Sequence, residues 1–225
     1  MVGAMNDAFY AKARRNMVDS QILPNRVIDE RVIAAFEELP REQFLPSSRA
    51  GLAYADESIL IEDDRYLMQP MVLARLLEIL DVRETDVALC IGCASGFAVA
   101  ALAHLVDTVV AVESNDEMRQ KAESTLGGLG IDNVAIVDGE LSKGHPSEAP
   151  FDVILIDGAV NEVPRALAEQ LADGGRLAAV EMPSGHTMGR GVIVTRYGQS
   201  INKRDVFDAS EPLLPGFEKE VEFAF

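Results

Sequence analysis

The chain of 225 residues has no tryptophan, three histidines and two cysteines, and aromatic residues make up only 6% of it. Each scarcity removes a class of function. His104, His145 and His186 are scattered, and no second cysteine pair accompanies Cys90 and Cys93, so their C-x-x-C spacing cannot complete a four-ligand zinc site. No metal is expected. A redox pair of this spacing normally opens a helix, whereas Cys90 ends an apolar run where small buried side chains belong; both thiols are read as structural. Long apolar runs are also missing. Residues 98–103 and 153–156 fall far short of the roughly 20 needed to cross a bilayer, and no apolar stretch follows Arg14-Arg15. A cytoplasmic location is the expectation. Positive charge is in deficit, with 20 Lys and Arg against 37 Asp and Glu and a formal net charge of -17. Such a surface is repelled by nucleic-acid phosphates and anionic lipid, so neither nucleic acid nor a membrane is expected as a partner.

What is present is a patterned hydrophobic half, 48% of the chain, ample for a core. Residues 6–80 read as mainly helical. Val27, Ile28, Val32, Ile33, Ala35, Phe36 and Leu39 recur at close to helical spacing until Pro40 stops the run, and Leu73, Leu76, Leu77 and Leu80 share a face of a second helix over 71–80. Between them, residues 47–70 read as a loop centred on Glu62-Asp63-Asp64-Arg65. From Asp86 the pattern changes. Short apolar strands at 87–91, 108–112, 134–137, 151–156 and 176–180 alternate with helices at 97–106, 115–129 and 164–171. Apolar strands alternating with helices predict a parallel sheet covered on both faces. The tail has strand-like pieces at 192–197 and 220–225. The expected organisation is one compact unit, with a helical segment over 1–80 packed on an α/β domain over 81–225.

The informative motif is CIGCASGF at 90–97, a strand, a glycine turn and a helix start. Gly92 permits a sharp turn and Gly96 a close approach of backbone to a ligand. The next strand ends in Glu113, placed to accept hydrogen bonds from both hydroxyls of a ribose. The third and fourth strands end in Asp138-Gly139 and Asp157-Gly158. All of these fall at the carboxyl edge of the sheet, where open parallel sheets bind ligands. Each feature alone is also what a tight ligand-free connection would show; the set is not. A dinucleotide would call for G-x-G-x-x-G to seat its pyrophosphate, and that spacing is absent. S-adenosylmethionine carries no phosphate but a sulfonium and an ammonium, which suit an acidic rim.

Several further stretches carry a resemblance: MVDSQI at 17–22, Asp29-Glu30-Arg31-Val32, LPREQFLP at 39–46 and Leu52-Ala53-Tyr54-Ala55-Asp56. It continues through Gln69-Pro70, the glycine turn, AHLV at 103–106, Val112-Glu113, Asp138-Gly139, APFDVILIDGA at 149–159 and GGRL at 174–177. Over roughly residues 15–180 the chain is similar to the protein-L-isoaspartate O-methyltransferases. The resemblance implies an α/β, Rossmann-like S-adenosylmethionine-dependent methyltransferase sheet with an N-terminal helical extension and an antiparallel end. It implies an enzyme that methylates the free carboxylate of isoaspartyl residues in damaged proteins, with S-adenosylmethionine as cofactor. The implied cofactor site is Gly92, Cys93, Ala94, Ser95, Gly96, Glu113, Ser114, Asp138 and Gly139, with Asp157 nearest the transferred methyl. Glu113 would hold the ribose, and Asp138 and Gly139 would lie beside the adenine.

The chain departs from that family in one loop above all. Where the family reads Gly-x-Gly-Gln-Thr-Ile-Ser-Gln-Pro, this sequence has Glu62-Asp63-Asp64-Arg65-Tyr66-Leu67-Met68-Gln69-Pro70. The family's serine helps to bind the substrate carboxylate, and Met68 stands in its place, so no catalytic residue can be named. Arg65, Met68 and Gln69 are the expected substrate-facing residues. The usual acid at the Cys90 position and glycine at the Ala94 position are also gone. A site with new carboxylates and no hydroxyl should receive an anion poorly. Three readings therefore stand: a carboxyl methyltransferase acting on a protein or peptide, the same fold acting on an unidentified small molecule, and a non-catalytic module that binds cofactor or a partner.

Overall fold

The computed structural model describes residues 2–217, with side chains described over 7–217; the strand-like piece at 220–225 lies outside the described residues. The N-terminal part holds α1 (Val2–Met17), α2 (Glu30–Glu38), the strands β1 (Ile59–Glu62) and β2 (Arg65–Leu67), and α3 (Pro70–Leu80). Asp29 caps α2, its carboxylate accepting from the Arg31 N–H at 2.8 Å, and Val32, Ala35 and Phe36 are the buried face. Ile28 belongs to no such face. It precedes the cap and is 80% exposed. Pro70 opens α3, where its missing N–H costs nothing, and Leu73, Leu76, Leu77 and Leu80 are buried.

The segment read as a loop is a hairpin. β1 and β2 pair antiparallel, with Leu60 opposite Tyr66 and Glu62 opposite Arg65. Asp63 and Asp64 make the two-residue turn at φ +43° and +58°. A tight hairpin needs left-handed backbone at both turn positions, and aspartate tolerates it better than most side chains. The alternation was present in the sequence: Ile59 and Ile61 point in, as do Arg65 and Leu67 across the turn. A charged residue at an inward position hid it.

The main sheet comprises β3 (Val87–Ile91), β4 (Thr108–Glu113), β5 (Val134–Asp138), β6 (Phe151–Val160), β7 (Leu171–Glu181), β8 (Gly189–Tyr197) and β9 (Ser200–Ala209). Its order is β5-β4-β3-β6-β7-β8-β9, parallel through β7, with β8 antiparallel to both of its neighbours β7 and β9. Strand order reverses direction between β3 and β6, so a crevice opens outside Ile91 and Ile156, the usual ligand position in such sheets. Alternate residues sort into two cores. Ala88 and Cys90 join a cluster with Met17, Phe36, Leu73 and Phe97, which unites the N-terminal segment with the α/β part. Leu89 and Ile91 join the opposite cluster with Leu167, Leu171 and Leu214.

α4 (Phe97–Ala103) and α5 (Asp116–Gly128) lie close to their expected places. The helix expected over 164–171 shrinks to α6 (Arg165–Ala168), because Leu171 is drawn into β7 opposite Phe151. β9 was not anticipated: its solvent-facing edge is too polar to read as a strand. After β9 the chain returns as a strap across the carboxyl end of β6. The Ala159 N–H donates to the Pro212 carbonyl at 3.0 Å and the Leu214 N–H to the Ala159 carbonyl at 2.7 Å. Among the described residues no helix is long and apolar enough to cross a membrane.

Candidate active site

The turn between β3 and α4 brings the glycine motif to the crevice. Gly92 has φ +79°, and its N–H donates to the Val112 carbonyl at 2.9 Å. Ala94 has φ +45° where the related family carries glycine. Gly96, at φ +97°, caps α4. The space beside Gly96 is taken by α5, for a Cβ there would stand 3.3 Å from that of Ala122. Helix packing and backbone angle thus account for this glycine. Cys93, Ala94 and Ser95 are all buried, and the Ser95 hydroxyl has no partner among the described residues. The cysteines are free, and burial raises both thiols well above their ordinary range.

Glu113 ends β4 and is wholly buried. Its Oε2 accepts from the Ala94 N–H at 2.8 Å and its Oε1 from the Asn115 N–H at 3.1 Å. Arg65 supplies the rest. Its Nη1 donates to Oε1 at 2.6 Å and its Nη2 to Oε2 at 2.9 Å, a bidentate pair with the guanidinium 4% exposed. A carboxylate offers about four lone-pair positions, and all four are engaged. Arg65, expected to face substrate, instead reaches across from β2 to the carboxylate expected to hold ribose.

The rest of the divergent loop is also redistributed. Glu62 forms an ion pair with Lys121 of α5, while Asp63 and Asp64 lie exposed at the hairpin tip. The three carboxylates therefore do not converge on the acceptor position. Met68 is buried, and its carbonyl accepts from the Arg41 guanidinium. The Gln69 amide donates to Asp56 Oδ1 at 2.8 Å, and its backbone N–H donates to Glu211 Oε1 at 3.1 Å.

Three residues that sequence reasoning did not single out complete the floor. Arg41, from LPREQFLP, is fully buried with its guanidinium 4.7 Å from the Phe97 ring centroid, and it donates to the Ala53 carbonyl at 2.7 Å. Burial lowers its pKa to about 10, opposed by the fields of Asp157 and Glu211. Glu211, on the strap, accepts from the Ser58 hydroxyl and the Gln69 N–H; burial raises it to about 7 against those bonds. Leu214 lies over Gly92 and Gly158, where an added Cβ would come within 2.9 Å and 3.1 Å of its side chain. Asp157, at the crevice, keeps one oxygen without a partner among the described residues, and burial raises its pKa to about 8 despite Arg65 nearby. A buried arginine was the only one of these with a sequence signal, its place in a motif.

Between Arg65, Met68, Asp157, Glu211 and Leu214 remains a cavity of about 10 Å³. That is about one water, against the roughly 300–1,000 Å³ of an ordinary ligand site. Glu113 lines neither of two larger cavities, one of about 240 Å³ between residues 43–46, Ile61, Ser95 and α5, and one of about 290 Å³ beside β8. Outside the filled crevice, Ser114 and Asp138 are exposed, Asp138 paired with Arg119 at 3.0 Å, and Gly139 is half-buried. No group of His, Cys, Asp and Glu among the described residues is arranged to hold a metal ion.

The same architecture recurs among known proteins. A protein-L-isoaspartate O-methyltransferase structure aligns with TM-score 0.77 over 91% of this chain and 67% of that one, at 24% identity. A Plasmodium falciparum beta-aspartate methyltransferase, in complex with S-adenosyl-L-homocysteine, aligns at 0.70 over 92% and 98%, at 18% identity. Sequence relatives are closer. Protein-L-isoaspartate O-methyltransferases of Methanoregula boonei and Methanoculleus marisnigri are 40% and 37% identical, covering 73% and 75% of this chain and 76% of each relative. The family model for protein-L-isoaspartate(D-aspartate) O-methyltransferase matches residues 12–196, taking in the helical segment, the hairpin, the glycine turn and the sheet through β8. Similarity that runs from the helical segment through the hairpin, the glycine turn and the sheet is inheritance of a whole fold, although the strap over the crevice lies beyond it, and the chain belongs to the protein-L-isoaspartate(D-aspartate) O-methyltransferase family.

Proposed function

We propose that the chain is an S-adenosylmethionine-dependent O-methyltransferase whose acceptor is a carboxylate of the isoaspartyl kind on a protein or peptide. The observation that carries this reading is Glu113, a buried acid at the end of β4, beside the Gly92 turn that borders the point where strand order reverses. Gly92, Cys93, Ala94, Ser95 and Gly96 would line the donor, with Ser114, Asp138 and Gly139 on the adenine side. The relatives named above support the acceptor class, and the S-adenosyl-L-homocysteine in the Plasmodium neighbour supports the donor. The donor supplies a methyl group already activated on a sulfonium. A carboxylate acceptor is ionised at neutral pH, so the protein need only position it and exclude water. The same reading expects a cytoplasmic location and no nucleic-acid partner.

In the arrangement described, these residues do not fit the donor. Glu113 has no lone pair left for ribose, and Leu214 occupies the approach to Gly92. That filled crevice also favours a second reading, a fold retained as a non-catalytic binding module. Calorimetric titration with S-adenosylhomocysteine separates them, followed by radiolabelled methyl transfer to an isoaspartyl peptide. The enzyme reading expects one binding site that is lost in Glu113→Gln. Saturable binding without any transfer, even in variants with the crevice cleared, would favour the module.

A further inference from the structure

We infer that Arg65 and Leu214 are a built-in closure of the donor cleft, which must open before S-adenosylmethionine can enter. The inference rests on the donor reading above, and it adds that this chain competes with its own cofactor. The guanidinium does to Glu113 what two ribose hydroxyls would do: it places two donors on the two carboxylate oxygens, at 2.6 and 2.9 Å. It carries a full charge, so it is the stronger occupant of the two. Leu214 covers the other half of the cleft, its methyls on the glycine faces of Gly92 and Gly158. Neither element is loosely placed. The hairpin that presents Arg65 is closed by a two-residue turn and tied to α5 by the Glu62–Lys121 pair. The strap that presents Leu214 is pinned by backbone bonds at Ala159 and by Glu211, whose carboxylate also receives the Gln69 N–H. Hairpin and strap are thus joined through Glu211, Ser58 and Gln69, so movement of one loosens the other.

A ligand that binds only the open form has its affinity divided by the fraction open. If the closed form dominates by about ten to one, clearing the cleft should tighten donor binding by about tenfold. The experiment is titration of the full chain with S-adenosylhomocysteine, comparing wild type with Arg65→Gln, Leu214→Ala and the double variant. Glutamine keeps hydrogen-bonding capacity but cannot form the bidentate ion pair. The closure expects both single variants to bind more tightly than wild type, and the double variant more tightly still. Binding by Arg65→Gln that is equal to or weaker than wild type overturns the closure while leaving the donor reading intact. Failure of all four proteins to bind overturns both. Thermal melts establish that each variant is folded. Hydrogen exchange on wild type provides a measurement that needs no variant. Saturating S-adenosylhomocysteine should increase exchange in residues 59–68 and 211–217 as they are displaced, and protection there would refute the closure.

Discussion

Glu113→Ala is the most direct test of the charged pair at the centre of this structure. The substitution removes an acceptor of four hydrogen bonds and leaves the Arg65 guanidinium, 4% exposed, without its counter-ion. Breaking a buried pair by removing one partner typically costs about 3–5 kcal/mol, because the remaining charge stays desolvated. Surface pairs are worth roughly 0–1 kcal/mol, so the two situations are well separated. One compensation is available. Asp157 is held neutral mainly by burial, which raises its pKa to about 8, and above that pH its carboxylate supplies a second negative charge in the field of Arg65. The lower end of the range, about 3 kcal/mol, is therefore expected at alkaline pH and the upper end in acid. For a chain of this size that loss lowers Tm by roughly 6–20 °C. Urea denaturation with an unchanged m-value is the assay. The control is Glu113→Met with Arg65→Met, which exchanges both charges for apolar volume and should recover most of the loss. A loss below about 1 kcal/mol in Glu113→Ala would mean that the pair is solvated, and the account of a filled crevice would fall with it.

The remaining predictions concern pH, the acceptor loop and the thiols. Asp157 and Glu211 are raised in the folded state, to about 8 and about 7, mainly by burial. Between their unfolded and folded pKa values the native state holds more protons, so their contribution is complete below about pH 4 and is lost as pH rises toward about 8. Urea midpoints across that range should show it, and Asp157→Asn, which mimics the protonated form, should flatten the slope; an unchanged slope would count against a neutral Asp157. Wild type should methylate a standard isoaspartyl peptide poorly beside an active relative. Met68→Ser alone should not rescue it while Arg65 remains on Glu113, whereas Met68→Ser with Arg65→Gln should; rescue by the serine alone would show that the hydroxyl was the missing element. Native mass spectrometry should find Cys90 and Cys93 reduced and metal-free, and a mass lower by one disulfide or raised by zinc would overturn that.

Most of the fold was legible because it is written in short-range patterns. Uninterrupted apolar runs at 87–91 and 153–156, with helices between, specify a parallel sheet through burial, and the glycine turn at 92 marks where backbone must turn sharply. Glu113 was legible for the same reason, as an acid at the end of an apolar strand. What the chain does with that acid was not. Arg65 and Glu113 are 48 residues apart in sequence, and nothing in either neighbourhood says that they meet. The inward direction of Arg65 follows from the period-two hairpin, and its target follows from how that hairpin packs on the sheet. Leu214 is more distant still, one of two leucines between Pro212 and Pro215, and its position depends on β9 and on a backbone bridge to Ala159. Pattern determines which residues are buried, since burial is repaid locally along each element. Which buried charge finds which partner is a long-range choice, made only when the elements pack and an unpaired charge in the interior becomes too costly to leave.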